Sequence, residues 1–203
     1  MATTWTYKTG EAERKDFAVY YITDKEAGED QSFTSADLEV IGLGIEDMPI
    51  SPNATTEETQ DILGNNNFAI TAYAETMEVT PLRVGRNGKY AEFIDSCIEN
   101  RAVLDDLEAW YLCVKRYKTA TGGKCRAWVQ KGIVELGDFA SGLTGVESTH
   151  TVHYVGERIL GGWDPSTGSF TADSELDERI LGGWDPSTGS FTADSELDTA
   201  SLI

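Results

Sequence analysis

Positive charge is in short supply in this sequence. Its 203 residues carry 16 Lys and Arg against 35 Asp and Glu, a formal net charge of −19 at pH 7. Such a surface repels nucleic-acid phosphates and anionic membrane, which disfavours a chain that grips DNA or RNA. It leaves room for one that nucleic acid must slide past without sticking. Histidine is rarer still, with only His150 and His153. Three apart on a β-prone stretch, they face opposite sides of a strand and cannot share a metal ion. The three cysteines, Cys97, Cys113 and Cys125, are odd in number, lack metal-ligand spacing and sit inside the apolar pattern. They read as reduced core residues of a protein folded in cytosol. No stretch approaches the ~20 apolar residues of a membrane span. The opening residues MATTW have neither the basic nor the apolar region of a signal peptide.

Catalytic signatures are equally sparse. Gly42-Leu-Gly44 lacks the third glycine and the following helix of a phosphate-cradling loop, and no Gly-x-Ser-x-Gly elbow occurs. Carboxylates are too plentiful to single out a pair. Asp173, Glu175 and Asp177, repeated as Asp194, Glu196 and Asp198, lack the glycine and distal Glu of a twelve-residue calcium loop. No catalytic residue, cofactor or metal is expected.

What the chain does have is 40% hydrophobic and 10% aromatic residues, enough for a core in one domain plus an appendage. The stretch 68–118 organises the rest. It opens with the period-two run FAITAYAETMEV at 68–79, breaks at Pro81, Gly85 and Gly88, and resumes as LEAWYLCV at 107–114. Between the breaks and the second run, Tyr90, Phe93, Ile94, Cys97 and Ile98 recur at helical spacing, which predicts one amphipathic helix over about 88–101. A helix with one narrow apolar stripe must cover a sheet. Further strands are predicted at 17–22 (FAVYYI), 37–43, 124–136, with Gly132 as a bulge, and 148–155. Residues 119–123 supply a hairpin turn. Residues 44–67 form a long non-periodic loop. Its apolar Met48, Ile50, Ile62 and Leu63 either tuck back on the domain or meet another chain. The fold class is mainly β (α+β): a β-sandwich or half-open barrel with one flanking amphipathic helix.

From Glu157 the unit 157–177 recurs without a change at 178–198. Two copies are too few for a solenoid. Each reads as a short strand (RIL), a turn (WDPSTG), a second strand (SFTA) and an acidic end. Because both cannot fill one slot at a sheet edge, the first copy is expected to complete the domain and the second to project as an arm onto a neighbouring chain.

The order of motifs resembles a known family. ERKDFAVY at 13–20, TQDILG at 59–64 leading into FAITAY at 68–73, MEVTP at 77–81 ahead of the helix, the Trp128 strand, and VHYVGER at 152–158 with Phe170-Thr carry the likeness over roughly 11–172. Together they resemble the major tail proteins of long non-contractile-tailed phages, particularly those of Gram-positive hosts. The resemblance implies a tail-tube subunit. Such a subunit is a β-sandwich or half-open barrel with a flanking helix, joined in hexameric rings that stack into a hollow tube through which the genome leaves. It implies assembly with itself and with tape-measure, tail-tip and tail-terminator proteins, DNA passing without specific binding, no membrane, and a place in the virion tail after synthesis in host cytoplasm. The duplicated tail departs from the family pattern.

On this reading residues 1–16 are an N-terminal arm, 17–177 the tube domain with its 44–67 loop, and 178–203 a C-terminal arm. The expected inter-subunit residues are Trp5, Tyr7, Met48, Ile50, Ile62, Leu63, Ile180, Leu181, Trp184 and Phe191. Two other classes compete: a monomeric binding or virion decoration module, and a carbohydrate hydrolase using two of the many carboxylates, which would need a deep pocket and a Glu of raised pKa.

Overall fold

The computed structural model describes residues 5–42, 45–83, 88–120, 123–142 and 145–173 in full, and the backbone of 182–185 and 190–193. In chain order it contains β1 (Trp5–Tyr7), β2 (Phe17–Ile22), a short helix α1 (Lys25–Glu29), β3 (Leu38–Ile41), β4 (Ile45–Asp47) and β5 (Ile50–Ser51). Then come β6 (Ala54–Gln60), β7 (Asn66–Tyr73), β8 (Thr76–Arg83), the long helix α2 (Lys89–Asn100) and β9 (Glu108–Ala120). The chain continues with β10 (Cys125–Gly142), β11 (Gly145–Asp164), β12 (Ser169–Ala172), β13 (Gly182–Asp185) and β14 (Ser190–Ala193). Ten strands form one antiparallel sheet in the order β3-β2-β9-β10-β11-β8-β4, with β1 on β9, β12 on β11 and β5 on β8. The sheet curls into the half-barrel expected from the sequence.

The apolar run FAVYYI forms an inner strand between β3 and β9, so both its faces are buried and it shows no polar alternation. Alternate residues feed two cores. Val19 of β2 with Ala109, Tyr111 and Cys113 of β9 point to one face, whereas Tyr20 and Ile22 with Leu112 and Val114 point to the other. Helix α2 covers the first core. Tyr90, Ile94 and Cys97 are buried and Phe93 and Ile98 half-buried against it, as the helical spacing predicts. The second core is closed by Ala27 of α1, by Phe33 and by Phe170 of β12. Cys97, Cys113 and Cys125 are buried and unbridged.

Helix α2 has no side-chain cap of its own, because Gly88 stands at its N-cap. Glu39 of β3 supplies the acceptor instead: its Oε2 receives the backbone N–H of Lys89 at 2.5 Å and of Tyr90 at 3.3 Å. A carboxylate at this end also faces the positive pole of the helix dipole.

Four expectations need correction. Residues 44–67 are not a structureless loop, since β4, β5 and β6 lie within them. The run 68–79 is not one strand. It divides between β7 and β8, and β7 leaves the main sheet to pair with β6 alone. Gly132 is not a bulge, being paired in register with Ala109 and Tyr154. Glycine is needed there because a Cβ would lie 2.5 Å from Cγ1 of Val152 and 2.9 Å from Cε2 of Tyr111. The real register shifts fall between Val129 and Lys131 and between Leu136 and Phe139. Finally, in the first repeat copy Trp163 belongs to the strand, not the turn: β11 runs to Asp164, where the Asp164 carboxylate takes the N–H of Ser166 to start a tight turn.

Candidate assembly surfaces

The hairpin β6–β7 stands apart from both cores. Every residue of both strands is exposed, and the two strands pair only with each other. Eight residues of β7 at ~3.3 Å each give an arm roughly 25 Å long. Ala54 pairs with Tyr73, Thr56 with Ile70 and Glu58 with Phe68. Residues 54, 56 and 58 share one face of β6, so their three partners share it too. That alignment depends on the register shift between Thr55 and Thr56, where β7 carries one extra residue. Phe68, Ile70 and Tyr73 are 69%, 50% and 62% exposed, an apolar stripe along one side of the arm. The opposite side presents Thr55, Glu57 and Thr59 with Asn67, Ala69 and Ala72.

Both ends of the arm are fixed. At its root the Asn53 amide donates to the Ala74 carbonyl at 3.0 Å and to Thr76 Oγ1 at 2.9 Å. At its tip Asp61 Oδ1 accepts the N–H groups of Leu63 and Asn65, each at 2.9 Å, and Oδ2 accepts the Asn65 amide at 2.9 Å. The Asn65 side-chain and backbone donors hold the Asp61 carboxyl below its ordinary pKa. Gly64, at φ +83°, completes the turn in the left-handed region. Ile62 and Leu63 are carried outward on it, Ile62 with no cover at all.

The remaining expected contact residues divide. Met48 and Ile50 tuck back half-buried against the α2-side core. Trp5 is half-buried on its own sheet, with the Arg126 guanidinium 4.9 Å from its ring, and β1 docks on the end of β9. Tyr7 is exposed, stacked on Tyr117 at 6.3 Å with Lys118 over its ring. Ile180 and Leu181 lie outside the described residues, as do the side chains of Trp184 and Phe191. Sequence reading missed Phe68, Ile70 and Tyr73, because an alternating apolar face reads alike whether its own domain or another chain covers it.

Two concave surfaces bear on the hydrolase reading. A groove of about 510 Å³ at the arm's root is lined by Pro52, Tyr73, Glu75, Gln130, Tyr154, Gly156 and Arg158. Its one carboxylate, Glu75, is clasped by both oxygens on Arg158, each at 2.5 Å. A smaller recess of about 210 Å³ includes Glu78, Glu135 and His150. There Glu135 is held by His153 at 2.6 Å, while His150 Nε2 lies 2.6 Å from the Tyr90 hydroxyl. The two histidines do face opposite ways, His150 buried and His153 exposed. The carboxyls Asp16, Asp37, Asp61, Glu108 and Asp164 are all held below their ordinary pKa, chiefly by hydrogen bonds, the reverse of a poised general acid. Among the described residues no cluster of three His, Cys, Asp or Glu could hold a metal, and no helix is long and apolar enough to cross a membrane.

No protein-family model matches the chain, and no curated protein matches it. Solved structures do. The SPP1 tail tube superposes on 83% of this chain and 84% of its own, at 13% identity and a TM-score of 0.50. A baseplate chain of the anti-feeding prophage covers 75% of this chain and 97% of its own, at 10% identity and a TM-score of 0.40. At 13% identity the property shared with the SPP1 tail tube is the fold.

Proposed function

We propose that this chain is the structural subunit of a phage tail tube, forming stacked hexameric rings around an acidic lumen. The observation that carries the reading is the arm β6–β7. A two-stranded hairpin is at best marginal in water by itself. This one is braced at both ends yet leaves Phe68, Ile70 and Tyr73 uncovered. An apolar stripe so exposed is an interface awaiting a partner, and the likeness of fold to the SPP1 tail tube makes a second copy of this chain the natural one. Sheet edges support it: among the described residues β3 and β4 stand at the two ends of the main sheet's strand order, where a strand of a neighbouring subunit could pair. Tyr7, Ile62 and Leu63 add apolar contacts at the arm's tip and at the free end of β1.

The net charge of −19 suits the role, because a carboxylate-lined channel lowers the adhesion of a passing polyanion. In this account the subunit is made in host cytoplasm and resides in the virion tail. It meets tape-measure, tail-tip and tail-terminator proteins at the tube's bore and ends. Sedimentation velocity at rising concentration tests the central contact. The wild type should shift to rings and larger species, and the combined Phe68→Ser, Ile70→Ser, Tyr73→Ser variant should stay monomeric with an unchanged melting temperature. Equal assembly of the two would overturn the arm's role.

A further inference from the structure

The two identical repeat copies have different places. The first is built into the main sheet: Ile159, Leu160, Gly161, Gly162 and Trp163 pair with Val129, Trp128, Ala127, Arg126 and Cys125 of β10, and β12 folds back on β11. The second makes its own hairpin, β13–β14, outside that sheet. Its register repeats the first: Trp184 stands opposite Phe191 as Trp163 stands opposite Phe170, and Gly182 opposite Ala193 as Gly161 opposite Ala172. Among the described residues the second copy therefore has the hairpin without the partner strand.

The groups that hold the first copy lie outside the repeat. Trp163 and Phe170, 6% and 8% exposed, sit in a groove formed by Tyr20, Ile22, Phe33, Cys125 and Val129. The Tyr20 ring is 5.4 Å from that of Trp163, Phe33 stacks on Phe170 at 5.9 Å, and Arg126 pairs with Asp173. Residues 178–198, being the same sequence, would meet the same groups with the same side chains.

The splice point is also ready-made. The β10–β11 ladder is broken between Val155 and Ile159, where two extra residues are accommodated and Gly156 adopts φ +71°. The repeat begins at Glu157, inside this gap. Replacing one copy by the other would loop out 157–177 where no ladder pairing is lost, and the closure cost of such a loop rises only with the logarithm of its length.

We propose that this groove is a binding site for either copy, and that residues 178–198 can occupy it in place of 157–177 of the same chain. The first copy prevails in the intact protein because it needs no loop. The second is a spare that enters when the first is damaged.

Thermal unfolding of three full-length variants at low concentration tests this. Trp184→Ala should melt with the wild type. The double variant Trp163→Ala, Trp184→Ala should lose on the order of 10 °C, the usual consequence of emptying a buried Trp site in a domain of this size. Trp163→Ala alone should lose clearly less, because the intact second copy takes the groove. Limited trypsin digestion read by mass spectrometry should then show cleavage after Arg158 faster in Trp163→Ala than in the wild type, because the displaced first copy leaves the sheet. If Trp163→Ala melts with the double variant, or is cut after Arg158 no faster than the wild type, the second copy does not enter and the proposal fails. A rescue that appears only as concentration rises, with dimers by light scattering, would place the second copy in a neighbour's groove and overturn the same-chain form.

Discussion

His150 is buried beside Tyr90, and burial pushes its pKa down from 6.5 to about 4. The unfolded chain therefore binds a proton between pH 6.5 and 4 that the folded chain refuses. Stability from this source is whole above pH 6.5 and declines as pH falls toward 4, by on the order of 3 kcal/mol in total. Melting curves from pH 7 to 4 should show that decline in the wild type and a flatter profile in His150→Gln; parallel profiles would rule the histidine out as its source. Gly132→Ala should cost about 1–3 kcal/mol, since the added methyl meets buried Val152 and Tyr111 rather than open space. Chemical denaturation would register it as a lower midpoint with an unchanged slope. Sequence inspection offered a bulge for this glycine. A tight approach between strands leaves no local mark distinguishing it from one, because the neighbours that forbid a side chain lie about 20 residues away on either side.

At the level of elements, α2 and its apolar stripe were legible because helical periodicity is local, and Tyr90, Ile94 and Cys97 are buried as their spacing demands. Its cap was not legible. Glu39 comes from a strand far away in sequence and reaches the helix only through the fold. Glu39→Ala should destabilise the domain by about 1 kcal/mol, the usual worth of an N-cap acceptor, and a smaller change in the melting temperature than that implies would demote the contact. The arm was half legible. The stranded apolar residues at 44–67 had two readings, tucking back on the domain or meeting another chain; Met48 and Ile50 return to the core, and Ile62 and Leu63 stand exposed. What concealed the hairpin was composition: ATTEETQ in β6 has none of the apolar alternation by which buried strands announce themselves, because neither of its faces meets the domain's core. Substituting Ile62 and Leu63 together by Ser should leave stability within about 0.5 kcal/mol, as for other fully exposed sites. Assembly, followed by light scattering, should weaken.

For the whole molecule, charge sets the terms of association. Copies of this chain, each of net charge −19, repel one another at long range. Raising salt from ~0.01 M to ~0.1 M shortens the screening length from about 30 Å to about 10 Å, while apolar contacts along the arm are not weakened by it. Assembly should therefore strengthen with salt. A mainly β fold, sandwich or half-open barrel, covered by helix α2 was readable from strand count and a single amphipathic stripe; the five-residue α1 is too short to show such a stripe. The division of 66–83 into an arm strand and a sheet strand was not, since both halves are β-prone and only tertiary pairing separates them. The central claim is that this fold assembles into a hollow tube through its arm. Negative-stain electron microscopy of the purified protein across concentration and salt tests it most directly. The account predicts six-fold rings or hollow filaments that grow more abundant with salt and vanish in the Phe68→Ser, Ile70→Ser, Tyr73→Ser variant. Uniform monomers at every concentration and salt would contradict it.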